Sequence, residues 1–156
     1  MRHETFSNER TREIVSSHLG LEGPLLPILH AVRETFGYVP EAAVPVIAEE
    51  LNLSRAEVHG VVTFYHDFNR APHGRHVVKI CRAEACQSVG VETLVAHAER
   101  SLGVSMGETS PDGRVTLEPI YCLGLCACAP AAMVDGRIIG RLDMEAIDEI
   151  VAEVDR

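Results

Sequence analysis

Lysine is almost absent from this chain: Lys79 is the only one in 156 residues. Basic side chains are few overall, with 14 Lys+Arg against 23 Asp+Glu and a formal net charge of −9. Without a basic cluster, neither nucleic acid nor an anionic membrane surface is an expected partner. No apolar run approaches the roughly 20 residues needed to span a bilayer. The opening stretch, from Met1 to Val15, mixes both charge signs and lacks the apolar core and small-residue cleavage site of a secretory signal. The expected compartment is therefore the cytoplasm. Internal repeats, low-complexity segments, a G-x-G-x-x-G turn, a P-loop and a nucleophile elbow are also missing. No catalytic or nucleotide site of the chain's own is expected.

What is present is a globular composition, 46% hydrophobic and 24% charged, arranged in two patterns. Residues 1–72 read as a helical bundle. One helix follows Ser7 and Asn8 and stops at Gly20, with Ile14, Val15, His18 and Leu19 near one face. A second opens at Pro24 and ends near Gly37. A third starts after Pro40, where Pro45 is tolerated near the first turn. Ser54 followed by Glu57 is a capping box for a fourth, whose apolar face is Val58, Val61, Val62 and Tyr65.

The turn-rich stretch Asn69 to Gly74 then leads into residues 73–156, a smaller α/β unit. His76 to Ile80 reads as a buried strand running into Cys81, and Val91 to Leu102 as a helix stopped by Gly103. Val104 to Met106 is a candidate strand. Val115 to Ile120 is another, ending at Cys122. Asp135-Gly136 is a hairpin turn between Met133-Val134 and Ile138-Ile139, and Asp143 caps a last helix. The expected class is α+β: a helical bundle followed by a sheet with two helices, of thioredoxin-like size.

Five cysteines, all beyond residue 80, carry the chemistry: Cys81, Cys86, Cys122, Cys126 and Cys128. The odd number and the expected reducing compartment argue against a disulfide framework. Four of them form two pairs, C-x4-C (Cys81, Cys86) and C-x3-C (Cys122, Cys126), each beginning where a strand is expected to end. Two strands ending at one sheet edge would bring four thiolates together, a donor set for Zn²⁺ or for a 2Fe–2S cluster. The small residues around them (Ala83, Ala85, Ser88, Gly90, Gly124, Ala127, Ala129) favour the bulkier cluster, because backbone can curl closely around it. Zinc knuckles more often use two C-x2-C pairs, and redox-active thiols remain a further alternative. A Rieske-type cluster would need histidine ligands, and no Cys-x-His pair exists.

The spacing Cys81-x4-Cys86, with Cys122-Leu123-Gly124-Leu125-Cys126 and Ala129-Pro130, resembles the thioredoxin-like 2Fe–2S ferredoxin family. The resemblance extends to Leu26-Pro27-Ile28-Leu29, Phe36-Gly37-Tyr38-Val39-Pro40 and Val61-Val62-Thr63-Phe64-Tyr65, from about residue 10 to 154. That family includes the 24-kDa-type subunit of respiratory complex I and the matching subunits of NAD-reducing hydrogenases and NAD-dependent formate dehydrogenases. Within it, Cys81-Arg82-Ala83-Glu84-Ala85-Cys86-Gln87 and Cys126-Ala127-Cys128-Ala129-Pro130 look most similar to the gamma subunit of the molybdenum-dependent formate dehydrogenases.

The resemblance implies one 2Fe–2S cluster on Cys81, Cys86, Cys122 and Cys126, with Cys128 outside the ligand set. It implies an electron-transfer subunit of a complex that oxidises formate to CO2. The FMN- and NAD-binding subunit would dock on the helical half, and a molybdenum-containing subunit would hold the catalytic site. Complex I or an NAD-reducing hydrogenase is the alternative parent, and a zinc-stabilised adaptor is the reading from another functional class.

Overall fold

A computed structural model describes residues 3–156. The chain divides into two compact units, Met1–Pro72 and His73–Arg156. No helix among the described residues is long and apolar enough to cross a membrane.

The first unit is four helices: α1 (Asn8–His18), α2 (Leu25–Phe36), α3 (Ala43–Glu50) and α4 (Arg55–Phe64). Their starts are set by side chains that satisfy orphan backbone donors. Ser7 Oγ accepts from the Arg10 N–H at 3.1 Å. At α4, Ser54 Oγ accepts from the Glu57 N–H at 3.2 Å while Glu57 Oε2 accepts from the Ser54 N–H at 2.8 Å, a complete capping box. Pro27 and Pro45 each fall in the first turn of their helix, where a missing N–H breaks no intrahelical bond.

Val15, Ile28, Leu29, Val32, Ile47 and Val58 are fully buried in the core of this unit. Each such side chain contributes roughly 1.5–3 kcal/mol relative to exposure. Two side chains expected on this core lie outside it. Leu19 and Tyr65 are exposed, because α1 ends at His18 and α4 at Phe64, so both residues sit past the last helical turn.

The second unit is a four-stranded sheet with helices: β1 (His76–Cys81), α5 (Glu84–Ser88), α6 (Val91–Leu102), β2 (Val115–Ile120), a 3₁₀ turn (Cys126–Cys128), β3 (Ala131–Val134), β4 (Arg137–Gly140) and α7 (Met144–Val154). Strand order is β2-β1-β3-β4, with β1 and β2 parallel and the other neighbours antiparallel. Alternation along the strands sends Val78, Ile80, Val115 and Leu117 into the core, where they meet Leu94, Val95 and Ala98 of α6 and Ile147 and Ile150 of α7.

Two expectations change here. Val104–Met106 is not a strand, because its backbone donors are taken by the end of α6. The Val104 N–H bonds Glu99 O and the Met106 N–H bonds Glu99 Oε1. Val104 is buried nonetheless, which is what its apolar pattern reflects. The short helix α5, which carries Cys86, is not legible in the pattern.

On the strand positions facing away from α6 and α7, Glu118 lies opposite Lys79 in the β1–β2 register. Its carboxylate takes a 2.8 Å contact from His73 Nε2 and a 3.1 Å contact from Lys79 Nζ. The His73 hydrogen bond, helped by the charges of His73 and Lys79, outweighs burial and holds Glu118 at about 2 against an ordinary 4.5. A lowered carboxylate pKa stabilises the fold above the ordinary value, and that stability is lost as pH falls through the folded value. Glu118→Gln is therefore expected to cost about 1–2 kcal/mol of unfolding free energy at neutral pH, allowing for solvent screening of this half-buried group, with the gap to wild type closing between about pH 4.5 and 2. Denaturant titrations across that range check it, and a gap independent of pH contradicts it.

Candidate metal centre

Parallel pairing of β1 and β2 puts Cys81 in register with Ile120, so the two cysteine loops leave the same edge side by side. One more hydrogen bond, Arg82 N–H to Ile120 O at 2.8 Å, carries the pairing into the first loop. There Ala83 O accepts from the N–H groups of Cys86 and Gln87, starting α5 and placing Cys86 on its first turns. Gln87 Nε2 donates back to Arg82 O at 2.7 Å, and the Arg82 guanidinium is forked on Glu92 at 2.8–3.1 Å. Cys81 and Cys86 are both 3% exposed.

The second loop is exposed. Tyr121 is 67% accessible, and Cys122 and Cys126 both reach solvent. Cys122 has φ 92°, a left-handed conformation costing a non-glycine residue on the order of 1–3 kcal/mol. The turn it makes is used: the N–H groups of Cys122 and Leu123 approach the Cys81 sulfur, and the Gly124 N–H lies 3.3 Å from Cys122 Sγ. Gly124, two residues on, is left-handed again at φ 76°, at no steric cost. Cys122 Sγ and Cys126 Sγ are 3.8 Å apart.

All five cysteines are free thiols. Three of the four thiols in the two pairs, Cys81, Cys86 and Cys126, are shifted by their neighbours. Burial pushes the Cys81 thiol up, but the N–H groups of Ala83, Cys122 and Leu123 and the Cys86 thiol bring it below its ordinary value. Burial raises Cys86, assisted by the hydrogen bond to Cys81 and the charges of Cys81 and Cys126, with the Ala131 N–H opposing. Cys126 is raised first by its hydrogen bond to Cys122, then by the charges of Cys122 and Cys81. Thiolates gathered this closely call for compensating positive charge, which iron supplies when it binds.

Among the described residues there is no group of three or more His, Cys, Asp or Glu side chains set to hold a single metal ion. A 2Fe–2S cluster asks for something different, two sulfurs at each of two irons, and the two thiol pairs have that form. The N–H groups aimed at sulfur fit the same group, since such hydrogen bonds stabilise charge on cluster and ligands. The residues present therefore fit a 2Fe–2S cluster. Cys128 is half-buried at the end of the 3₁₀ turn, with its N–H on Leu125 O at 2.8 Å.

The sequence of residues 11–155 matches the profile of the thioredoxin-like 2Fe-2S ferredoxins. The chain belongs to that family. Its cofactor is one 2Fe–2S cluster, which decides the choice between cluster and zinc that spacing alone leaves open. The chain is 37% identical over 123 residues to a subunit of the NADH-quinone oxidoreductase of Pseudomonas aeruginosa, covering 79% of this chain and 74% of that one. It is 33% identical over 132 residues to the HndA subunit of the NADP-reducing hydrogenase of Solidesulfovibrio fructosivorans, covering 85% and 77%. Among solved structures it resembles an NAD+-reducing NiFe-hydrogenase in the air-oxidized state, with TM-score 0.70 and 27% identity. That match covers 84% of this chain and 22% of the hydrogenase chain.

The sequence reading missed the inverted backbone at Cys122 and the Ala131 N–H on Cys86; neither has a side-chain signature. Cys122 and Cys128 separate experimentally. Cys122→Ser is expected to abolish the visible absorption of the loaded protein, whereas Cys128→Ser keeps it at wild-type intensity. Loss of the absorption in Cys128→Ser alone would make Cys128 a ligand.

Proposed function

We propose that this chain is the one-electron carrier subunit of a cytoplasmic, NAD(P)-linked oxidoreductase, with Cys81, Cys86, Cys122 and Cys126 as the cluster ligands. The observation that carries the reading is the convergence of two free thiol pairs, with backbone N–H groups on their sulfurs, at the common end of β1 and β2. When bound, the cluster takes up and releases single electrons and makes or breaks no bond of a substrate. The chain's own part is to hold the four sulfurs, donate N–H groups to them, and keep one pair buried while the other stays near the surface. Residues 73–156 are the cluster-bearing domain, and the helices of residues 1–72 are the docking domain for the FMN- and NAD-binding subunit.

The relatives support a parent of the NADH-quinone oxidoreductase or NAD(P)-reducing hydrogenase kind. They favour it over the formate dehydrogenase that the cysteine loops resemble. The formate reading, with a molybdenum-containing partner, keeps one supporting feature, the run Cys126-Ala127-Cys128-Ala129-Pro130. Metal content of the native assembly separates the parents: nickel marks a hydrogenase, molybdenum the formate enzyme, and quinone reduction without either a complex I-type parent.

The carrier reading itself is tested by reduction. NADH alone is expected to leave the isolated, cluster-loaded chain oxidised, and to bleach it only when the flavin-bearing subunit is added. Direct reduction of the isolated chain by NADH would give it a nucleotide site of its own and contradict the assignment.

A further inference from the structure

The loop that carries Cys122 and Cys126 does not end in solvent; it is seated on the end of β4. The Arg141 N–H donates to Cys128 O at 2.6 Å, and the Leu142 N–H donates to Pro130 O at 2.9 Å. Arg141 is left-handed, with φ 53°, which turns its N–H toward the loop as β4 ends. Just before it, at Gly140, no side chain intervenes. A Cβ there would lie 3.0 Å from Cys128 Cβ, 3.2 Å from Cys128 O and 3.6 Å from Leu125 Cδ1. The first is closer than the ordinary carbon–carbon contact of about 3.5–4.0 Å, and the second, to oxygen, is also tighter than most Cβ contacts.

From this contact we propose that Gly140 is a positioning residue for the cluster: its bare backbone sets the depth at which the Cys126–Cys128 turn sits, and with it the Cys126 sulfur. The inference rests on the carrier reading and its ligand set. β4 is the edge strand, but its retreat from an added methyl group would pull Gly140 off its partner Ala131, whose N–H approaches the Cys86 sulfur. The turn must move instead. It moves as a unit, since Cys128 N–H is tied to Leu125 O at 2.8 Å and Ala129 N–H to Cys126 O at 3.4 Å. Cys126 is carried along, while Cys81 and Cys86, anchored in β1 and α5, stay in place. In the metal-free chain the exposed turn can yield to the added methyl group at little cost to the fold, whereas in the loaded chain it would yield against the ligand set.

The opposite expectation follows if Gly140 is only a strand residue. Alanine in place of glycine in a strand is neutral or stabilising, because glycine loses more backbone freedom on folding. Gly140→Ala therefore separates the two roles. In the cluster-loaded chain it is expected to release iron to a chelator about fivefold faster than wild type or more, and to shift the EPR g values of the dithionite-reduced protein. The unfolding midpoint of the metal-free Gly140→Ala chain is expected to match or exceed that of wild type. Removing the opposing Cβ as well, in Gly140→Ala with Cys128→Gly, is expected to return iron release toward the rate of Cys128→Gly alone.

Wild-type iron release and g values in Gly140→Ala would overturn the proposal. So would a metal-free chain destabilised in proportion to the faster release, which makes Gly140 a packing position. A wild-type chain devoid of iron and sulfide would instead overturn the carrier reading, and this inference with it.

Discussion

The parallel pairing of β1 with β2, Cys81 opposite Ile120, is the constraint on which the site depends. Parallel neighbours end at the same edge, so the loops that follow them start side by side, whereas antiparallel pairing would send them to opposite ends of the sheet. Parallel pairing also requires a crossover, supplied here by α5 and α6. The crossover does two jobs, since α5 presents Cys86 and α6 buries Leu94, Val95 and Ala98 against the strands. The same apolar packing that stabilises the unit therefore fixes where the first thiol pair stands.

The two pairs are unequal, and the inequality suits a carrier. Cys81 and Cys86 sit in the core, anchored by a strand and a helix, where hydrogen bonds hold the Cys81 thiol below its ordinary value while burial pushes Cys86 above. Cys122 and Cys126 stand on an exposed loop beside Tyr121, held by backbone turns. A group held between them, as proposed, would be gripped from the protein side and approached from the solvent side. The left-handed Cys122 is the cost of that arrangement: the conformation is unfavourable for cysteine, and it directs N–H groups at the Cys81 sulfur.

Much of this is legible in the residues, and the parts that are not share a physical cause. The Ser54/Glu57 box, the Asp135-Gly136 hairpin and the strand running into Cys81 are encoded by side chains with local signatures, and each appears in the structure. The four cysteines can be paired on paper because strand ends and spacing are one-dimensional quantities. Val104 misleads because an apolar residue buried after a helix stop looks like one buried in a strand until its N–H is traced to Glu99. The helix around Cys86, the inverted Cys122 and the seat at Gly140 depend on backbone direction and on contacts distant in sequence. No periodicity reports those.

The most direct test of the account is an iron and acid-labile sulfide count on the full chain purified without air, read with its visible spectrum and with EPR after dithionite reduction. The account predicts about two irons and two sulfides per chain and an S = ½ signal that appears on reduction. A colourless protein containing zinc and no sulfide would contradict it, because the four thiols would then serve a structural ion and no electron could pass through them.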